Sequence, residues 1–245
     1  MAVPSRYILH QGPVIGALAR GAVAAFKQQR QGVPEGKMAT PGPEHRTVVP
    51  PRPPDLVRDY IRHVGGEPSA YKGRLPPHLF PQWVFPLMTR TLEGVPYPMA
   101  RVMNGGCRMV VNAPLPIDEP LHARAHLESI DDDGRRAVLH QKGVTSTAAE
   151  PEALRSDFYA IVPLGGGKKD GNGKAKKKKD KPRVPDDVRE VAFWRISDKA
   201  GLEFAKLTGD FNPVHWVPGY ARAMGFKNVI LHGFSTMARA IEGLN

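Results

Sequence analysis

The chain has 245 residues, 41% of them hydrophobic, a formal net charge of +11 and a single cysteine, Cys107. One cysteine excludes an internal disulfide framework and fits a reducing compartment, and no continuous apolar stretch is long enough to span a bilayer. The length holds one large domain or two small ones, and 25 prolines with 25 glycines point to many turns and some linker.

Residues 1–54 read as a helix followed by an extended lead-in. The run YILHQGPVIGALARGAVAAFKQQRQ is apolar but interrupted by His10, Gln11, Pro13 and Arg20, and no acid precedes Glu35. Targeting segments share that charge bias, but Ser and Arg are sparse for one, so an amphipathic helix lying on the surface or on a partner is the favoured reading. Gly32 to Pro54 is rich in Pro and Gly and should run extended. Residues 55–164 then read as helices followed by strands. Asp55 is placed to cap a helix LVRDYIRHV that Gly65 and Gly66 close, and a second helix is expected from about Gln82 to Leu92, after Pro81. Strand-like segments begin at Met99, Leu121, Arg135 and Leu154, with Asp131 to Gly134 as the hairpin turn between the second and third. The pattern is α+β with an antiparallel sheet. His122 and His126 alternate onto one strand face, read as a solvated face ahead of a metal pair. No His–Cys metal spacing occurs, so no metal is expected.

Gly165 to Pro185 holds nine Lys or Arg against two Asp, which is +7 of the total +11. It has no aromatic residue and no apolar periodicity, so residues 165–187 read as a disordered basic linker. A polyanion-binding tail is the alternative, but the position between two structured parts favours a solvated insert and argues against nucleic acid as partner. Residues 188–245 begin again with order. VREVAFWRI alternates as a strand, Ser197 is placed to cap a helix ending at Gly209, WVPGYARAMG forms a short helix, and Gly233 opens a helix with apolar Phe234, Met237, Ala238 and Ile241.

The stretch FAKLTGDFNPVHWVPGYA, Phe204 to Ala221, carries the chemistry. Asp210, Asn212, Pro213 and His215 fall within six residues. Pro213 fixes its own φ and pushes Asn212 out of the helical region, so the chain must turn. A turn can bring Asp210 and His215 to one side of a loop. Imidazole is the side chain that titrates near neutrality, and a carboxylate beside it can orient the ring and support its charge. The backbone N–H groups that open a helix at Gly233 suit a developing oxyanion.

Taken in order, the aromatic Phe204, the string Gly209-Asp210-Phe211-Asn212-Pro213-Val214-His215 and Ala221 beyond it resemble the signature of the MaoC-like dehydratases, the (R)-specific enoyl-CoA hydratases. The resemblance implies a double hotdog, in which each half wraps an antiparallel sheet around a central helix. It makes Asp210 and His215 the catalytic pair and the Gly233 amide the oxyanion donor, with Gly209, Asn212 and Pro213 shaping the loop or binding substrate. It needs no cofactor and no metal. The implied reaction interconverts trans-2-enoyl and (R)-3-hydroxyacyl thioesters, carried on coenzyme A or an acyl carrier protein, in fatty-acid metabolism. A non-catalytic acyl-binding or scaffolding subunit is the alternative function. In the first copy GGEPSAY stands where GDFNPVH stands in the second, so Gly66 replaces Asp210 and Tyr71 replaces His215, and the N-terminal half reads as degenerate. The second copy has no strands after its central helix, so the C-terminal half is expected to be incomplete within this chain. A homodimer and a partner hotdog subunit both stay open. The cytoplasm is the expected compartment, with organelle targeting left open.

Overall fold

The computed structural model describes residues 2–165, 185 and 187–244. The basic linker expected from the sequence falls, for residues 166–184 and 186, outside the described residues. A 3-10 turn at Ser5–His10 leads into helix α1, Gly12–Gln31. Strand β1, His45–Val49, and helix α2, Pro54–His63, follow. A two-residue strand β2, Arg74–Leu75, precedes helix α3, Pro81–Thr91. Then come β3, Met103–Val111, β4, Leu115–Pro116, β5, Leu121–Asp132, β6, Arg136–Ser146, and β7, Leu154–Pro163. The chain closes through α4, Ala200–Thr208, α5, Pro218–Ala223, and α6, Gly233–Glu242.

Five strands form one antiparallel sheet in the order β1-β5-β6-β7-β3, and β2 pairs with β4. Strands β6 and β7, and β5 as far as Leu127, alternate in burial, and the inner face carries Leu121, Ala125 and Leu127, then Leu139, then Leu154 and Phe158. That face curls around α3, which returns Trp83, Val84, Leu87 and Met88 to the core. Burying each such side chain contributes ~1.5–3 kcal/mol. Two polar links fix the helix against the sheet: Trp83 Nε1 donates to Thr145 Oγ1 at 3.0 Å, and Gln141 Nε2 donates to the Met88 carbonyl at 2.6 Å. Gly143 sits where helix and sheet approach closest. A Cβ there would lie 2.7 Å from Ser156 Oγ and 2.8 Å from both Met88 and Val84.

Both expected N-terminal-half helices and all four strand segments are present. The lead-in differs, since its Pro-rich flanks hide β1, whose HRTVV pairs antiparallel with β5. Asp55 is not the cap of α2. The helix starts at Pro54 with Pro53 in the cap position, and the Asp55 carboxylate instead accepts from Arg6 at 2.9 Å and from the Tyr7 hydroxyl at 3.3 Å. Ser197 is likewise not the cap of α4. Lys199 holds that place, and Ser197 Oγ accepts from the Lys199 amide at 3.2 Å. VREVAFWRI is not a strand: among the described residues every strand lies at or before Pro163. Its Trp194 packs on the bare backbones of Gly65 and Gly243 instead.

The second part repeats the first: helix, capped turn, second helix. α2 packs against α4 through Tyr60 and Phe204, with ring centroids 6.1 Å apart. The apolar face of α6 is covered by the N-terminal half. Phe234 meets Phe80 at 6.2 Å and Phe158 at 5.1 Å, and Met237 Sδ lies 3.3 Å from Cys107 Sγ. Gly143→Ala should reduce unfolding free energy by ~1–3 kcal/mol, because the added methyl must push α3 off the sheet. Urea denaturation of the two proteins measures it.

Candidate active site

The loop after α4 is built from its end outward. α4 stops at Gly209, whose φ of +85° suits glycine at a helix C-terminus. A side chain there would also strike α1, with Val14 Cβ 2.7 Å and Gln11 Cβ 3.0 Å from a Cβ on Gly209. Buried amides brace this end. Gln11 Nε2 and Gln82 Nε2 both donate to the Leu207 carbonyl, at 2.8 and 3.1 Å. Next, Asp210 Oδ1 accepts from the Asn212 amide at 3.3 Å, and Asn212 Oδ1 accepts from the Val214 amide at 3.3 Å. Pro213 opens the one-turn 3-10 helix that ends at His215. Asn212 and Pro213 therefore shape the loop. Gly201 of α4 lies directly beneath, and a Cβ on it would overlap the His215 carbonyl.

The structure brings Asp210 and His215 together with a residue the sequence reading passed over. His232 caps α6, and one ligand atom from each of Asp210, His215 and His232 lies within 4.8 Å of the others. A single water bridges a gap of that size. His215 Nδ1 is 2.9 Å from the Ile230 carbonyl, so it carries the proton and donates, which leaves Nε2 as the ring's acceptor. His232 Nε2 donates to the Asp210 carbonyl at 2.8 Å, and its ring stacks on His215 with centroids 3.7 Å apart and planes 25° apart. His232 is 1% exposed. Burial pushes its pKa down to about 4, the adjacent His215 adds to that, and Asp210 opposes it. The ring is therefore neutral at physiological pH. Its one hint in the sequence was its place just before Gly233.

Three such donors in reach of each other raise the question of a metal. Stacked, nearly parallel rings send their in-plane lone pairs side by side, whereas a metal needs them convergent. The set fits proton transfer better than chelation. α6 starts at Gly233, and the first amides of a helix have no intrahelical acceptor. The Thr236 amide is the one that reaches back to the His232 carbonyl, at 3.1 Å. The positive end of α6 thus begins next to the acid and the imidazoles.

The N-terminal counterpart of the loop also forms a short 3-10 turn, Pro68–Tyr71, capped by the Glu67 side chain. Cavities of about 350 and 490 Å³ lie on it, and both are lined by Tyr71. Neither is lined by Asp210 or His215.

Residues 175–243 match the family model described as MaoC like domain. Over that stretch the chain is similar to MaoC-like domains. An enoyl-CoA hydratase of Mycobacterium tuberculosis is 32% identical over 162 residues, covering 64% of this chain and 53% of that protein. The peroxisomal enoyl-CoA hydratase 2 of Arabidopsis thaliana is 23% identical over 160 residues, 62% of this chain and 52% of its own. The chain spans about half the length of these curated relatives. Among solved structures, HtdX of Mycobacterium tuberculosis superposes with a TM-score of 0.62 at 19% identity, covering 80% of this chain and 75% of the other. A MaoC-like dehydratase from Phytophthora capsici gives 0.59 at 21% identity, covering 81% and 74%. At these identities the superpositions establish the fold, which is the MaoC-like hotdog of antiparallel sheet around a helix.

Two predictions follow from the packing of the site. Gly201→Ala must displace the His215 carbonyl, so it should lower both the thermal midpoint and any activity that depends on His215, read by calorimetry and rate assay. The second concerns acid. His63, buried beside Arg239 and His232, is also pushed down to about 4, chiefly by burial. Both histidines titrate near ~6.5 when unfolded, so between that pH and about 4 the unfolded chain binds more protons. Stability is therefore lost as pH falls through this window, by up to ~3 kcal/mol for each ring. Urea midpoints from pH 7 to pH 4.5 should show the fall, and His63→Leu should flatten it.

Proposed function

We propose that this MaoC-like protein hydrates trans-2-enoyl thioesters to (R)-3-hydroxyacyl thioesters and catalyses the reverse dehydration. The observation that carries the reading is the meeting of Asp210 and His215, within one water's span, at the start of α6. Water held between them gives a proton to His215 Nε2 as its oxygen attacks Cβ. The C=C electron pair moves toward the thioester oxygen, and the Gly233 N–H faces that developing charge. A proton then returns to Cα, with Asp210 orienting the water and sharing the charge, so the sum is addition of one water. The relatives named as enoyl-CoA hydratases support this assignment.

In this reading residues 188–245 carry the chemistry, residues 55–164 form the degenerate half that shapes the acyl pocket, and residues 1–54 brace the loop through Gln11 and Val14. The substrate is a coenzyme A or acyl carrier protein thioester. The protein works as a homodimer or beside a partner hotdog subunit. Among the described residues no helix is long and apolar enough to cross a membrane. Relatives in Neurospora crassa and Arabidopsis thaliana are peroxisomal proteins, so the cytoplasm and an organelle both accord with the single cysteine.

The test is loss of enoyl-thioester absorbance with crotonyl-CoA. Asp210→Asn and His215→Ala should each lower kcat/KM by ~10²–10⁴, the range that positioned proton transfer contributes. A folded wild-type chain that turns over neither crotonyl-CoA nor a longer enoyl thioester, yet binds it, would favour the acyl-binding role instead.

A further inference from the structure

We propose that the degenerate loop of the N-terminal half is a socket for the far end of α6, and that Glu242 is the positioning residue seated in it. The functional consequence rests on the hydratase reading; the contact itself does not. Glu242 is the last residue of α6, where the helix dipole disfavours a negative charge. Its side chain is nevertheless 3% exposed. Burying a carboxylate there needs partners, and the N-terminal half supplies them. The Tyr71 hydroxyl donates to Glu242 Oε1 at 2.7 Å, and His78 Nε2 lies 3.0 Å from the same oxygen. Tyr71 and His78 are themselves 3.1 Å apart, and Tyr60 Oη sits 3.0 Å from His78 Nδ1 while donating to the His78 carbonyl at 3.1 Å. His78 is fully buried.

Each member has a counterpart in the candidate active site. When GGEPSAY is laid on GDFNPVH, Gly66 stands for Asp210 and Tyr71 for His215. His78 precedes Phe80 at the start of α3 much as His232 precedes Phe234 in α6. The missing side chain at Gly66 is the key to the socket. A Cβ on it would overlap the Glu242 carboxylate, and the three atoms nearest that position all belong to Glu242. The acid that the loop itself lacks is delivered from the other half. One turn earlier on α6, Arg239 Nη2 donates to the His63 carbonyl at 2.6 Å, a second anchor on the same side. A ten-residue helix is about 15 Å long and stiff. Anchoring it at Arg239 and Glu242 sets where its first amide, Gly233, sits relative to Asp210 and His215.

The experiment uses the full chain with crotonyl-CoA as probe, together with the backbone amide resonance of Gly233 in a ¹⁵N-labelled sample. Glu242→Gln keeps the shape and removes the charge. It should shift the Gly233 resonance and lower kcat by ~10-fold to ~100-fold with KM little changed, the signature of a misplaced catalytic group. Tyr71→Phe, at a half-exposed position, should act in the same direction and serves if Glu242→Gln does not fold. Gly66→Ala should displace the carboxylate and reproduce the Glu242→Gln effect, whereas in a Glu242→Ala background the same methyl should add no further loss. If the wild-type chain does not turn over, the resonance and the Gly66–Glu242 coupling still decide, so failure of the hydratase reading is separable. A folded Glu242→Gln protein with an unmoved Gly233 amide, or with wild-type kcat where there is turnover, overturns the proposal. Additive effects of Gly66→Ala and Glu242→Ala overturn it too.

Discussion

Two side-chain hydrogen bonds, from His232 Nε2 to the carbonyl of Asp210 and from His215 Nδ1 to the carbonyl of Ile230, tie the acid-bearing loop to the start of α6. The two pieces are 22 residues apart and come from different elements. The Ile230 amide adds a third tie, to the Val214 carbonyl, and the bond from His232 is the one that reaches Asp210 itself. The donor must remain a donor through one nitrogen, and burial that keeps the ring neutral secures this. A charged His232 would donate from both nitrogens, and its Nδ1 has no hydrogen-bond partner in a pocket sealed from water. The low basicity of this ring and the fixed geometry of the loop are therefore one fact seen from two sides.

The same loop depends on absences as much as on contacts. Gly209 leaves room for α1, and Gly201 leaves room for the His215 carbonyl. Packing of this density transmits displacement rather than absorbing it. α1 thus belongs to the site although it carries none of its chemistry: Gln11 is fully buried and reaches both Leu207 and, through Gln82, α3. The chain from sheet to α3 to Gln82 to Leu207 to Gly209 is continuous, and it explains how a curled sheet of the N-terminal half can fix a carboxylate of the C-terminal part.

Most of this was legible in the residues, and the omissions have physical causes. Strands β6 and β7, and β5 as far as Leu127, alternate and α3 opens on a proline, so period and punctuation named them. β1 was missed because five residues between prolines give little period to read, and its partner is 76 residues away at Thr47 and Ala123. Asp55 and Ser197 were misassigned as caps because a capping side chain and a nearby acid look alike until partners are known. Asp55 prefers Arg6 and Tyr7 at long range to its own helix. VREVAFWRI has the alternation of a strand but pairs with neither edge strand of the sheet, β1 or β3, so period supplies the capacity to pair and tertiary context the partner. At the site, Asp210, Asn212, Pro213 and His215 were readable as one local string. His232 was not, since its role arises from a stacking contact with His215 that sequence spacing does not encode.

The two loops also show what a repeat can lose and what it must keep. Replacing Asp210's counterpart by Gly66 and His215's by Tyr71 removes the local acid and the imidazole at those places, yet the position stays polar: the Tyr71 hydroxyl donates to Glu242 and lies 3.1 Å from His78 Nε2. The turn at Pro68 is itself ordered by the Glu67 side chain, which accepts from the Ser69 amide. Glu242 from α6 meets Tyr71 and His78 beside that turn and ties the halves together. In the proposed reading, divergence of the first copy makes its loop a fixed reference for the other one, because α6 begins at Gly233 beside Asp210 and His215 and ends in the socket at Glu242.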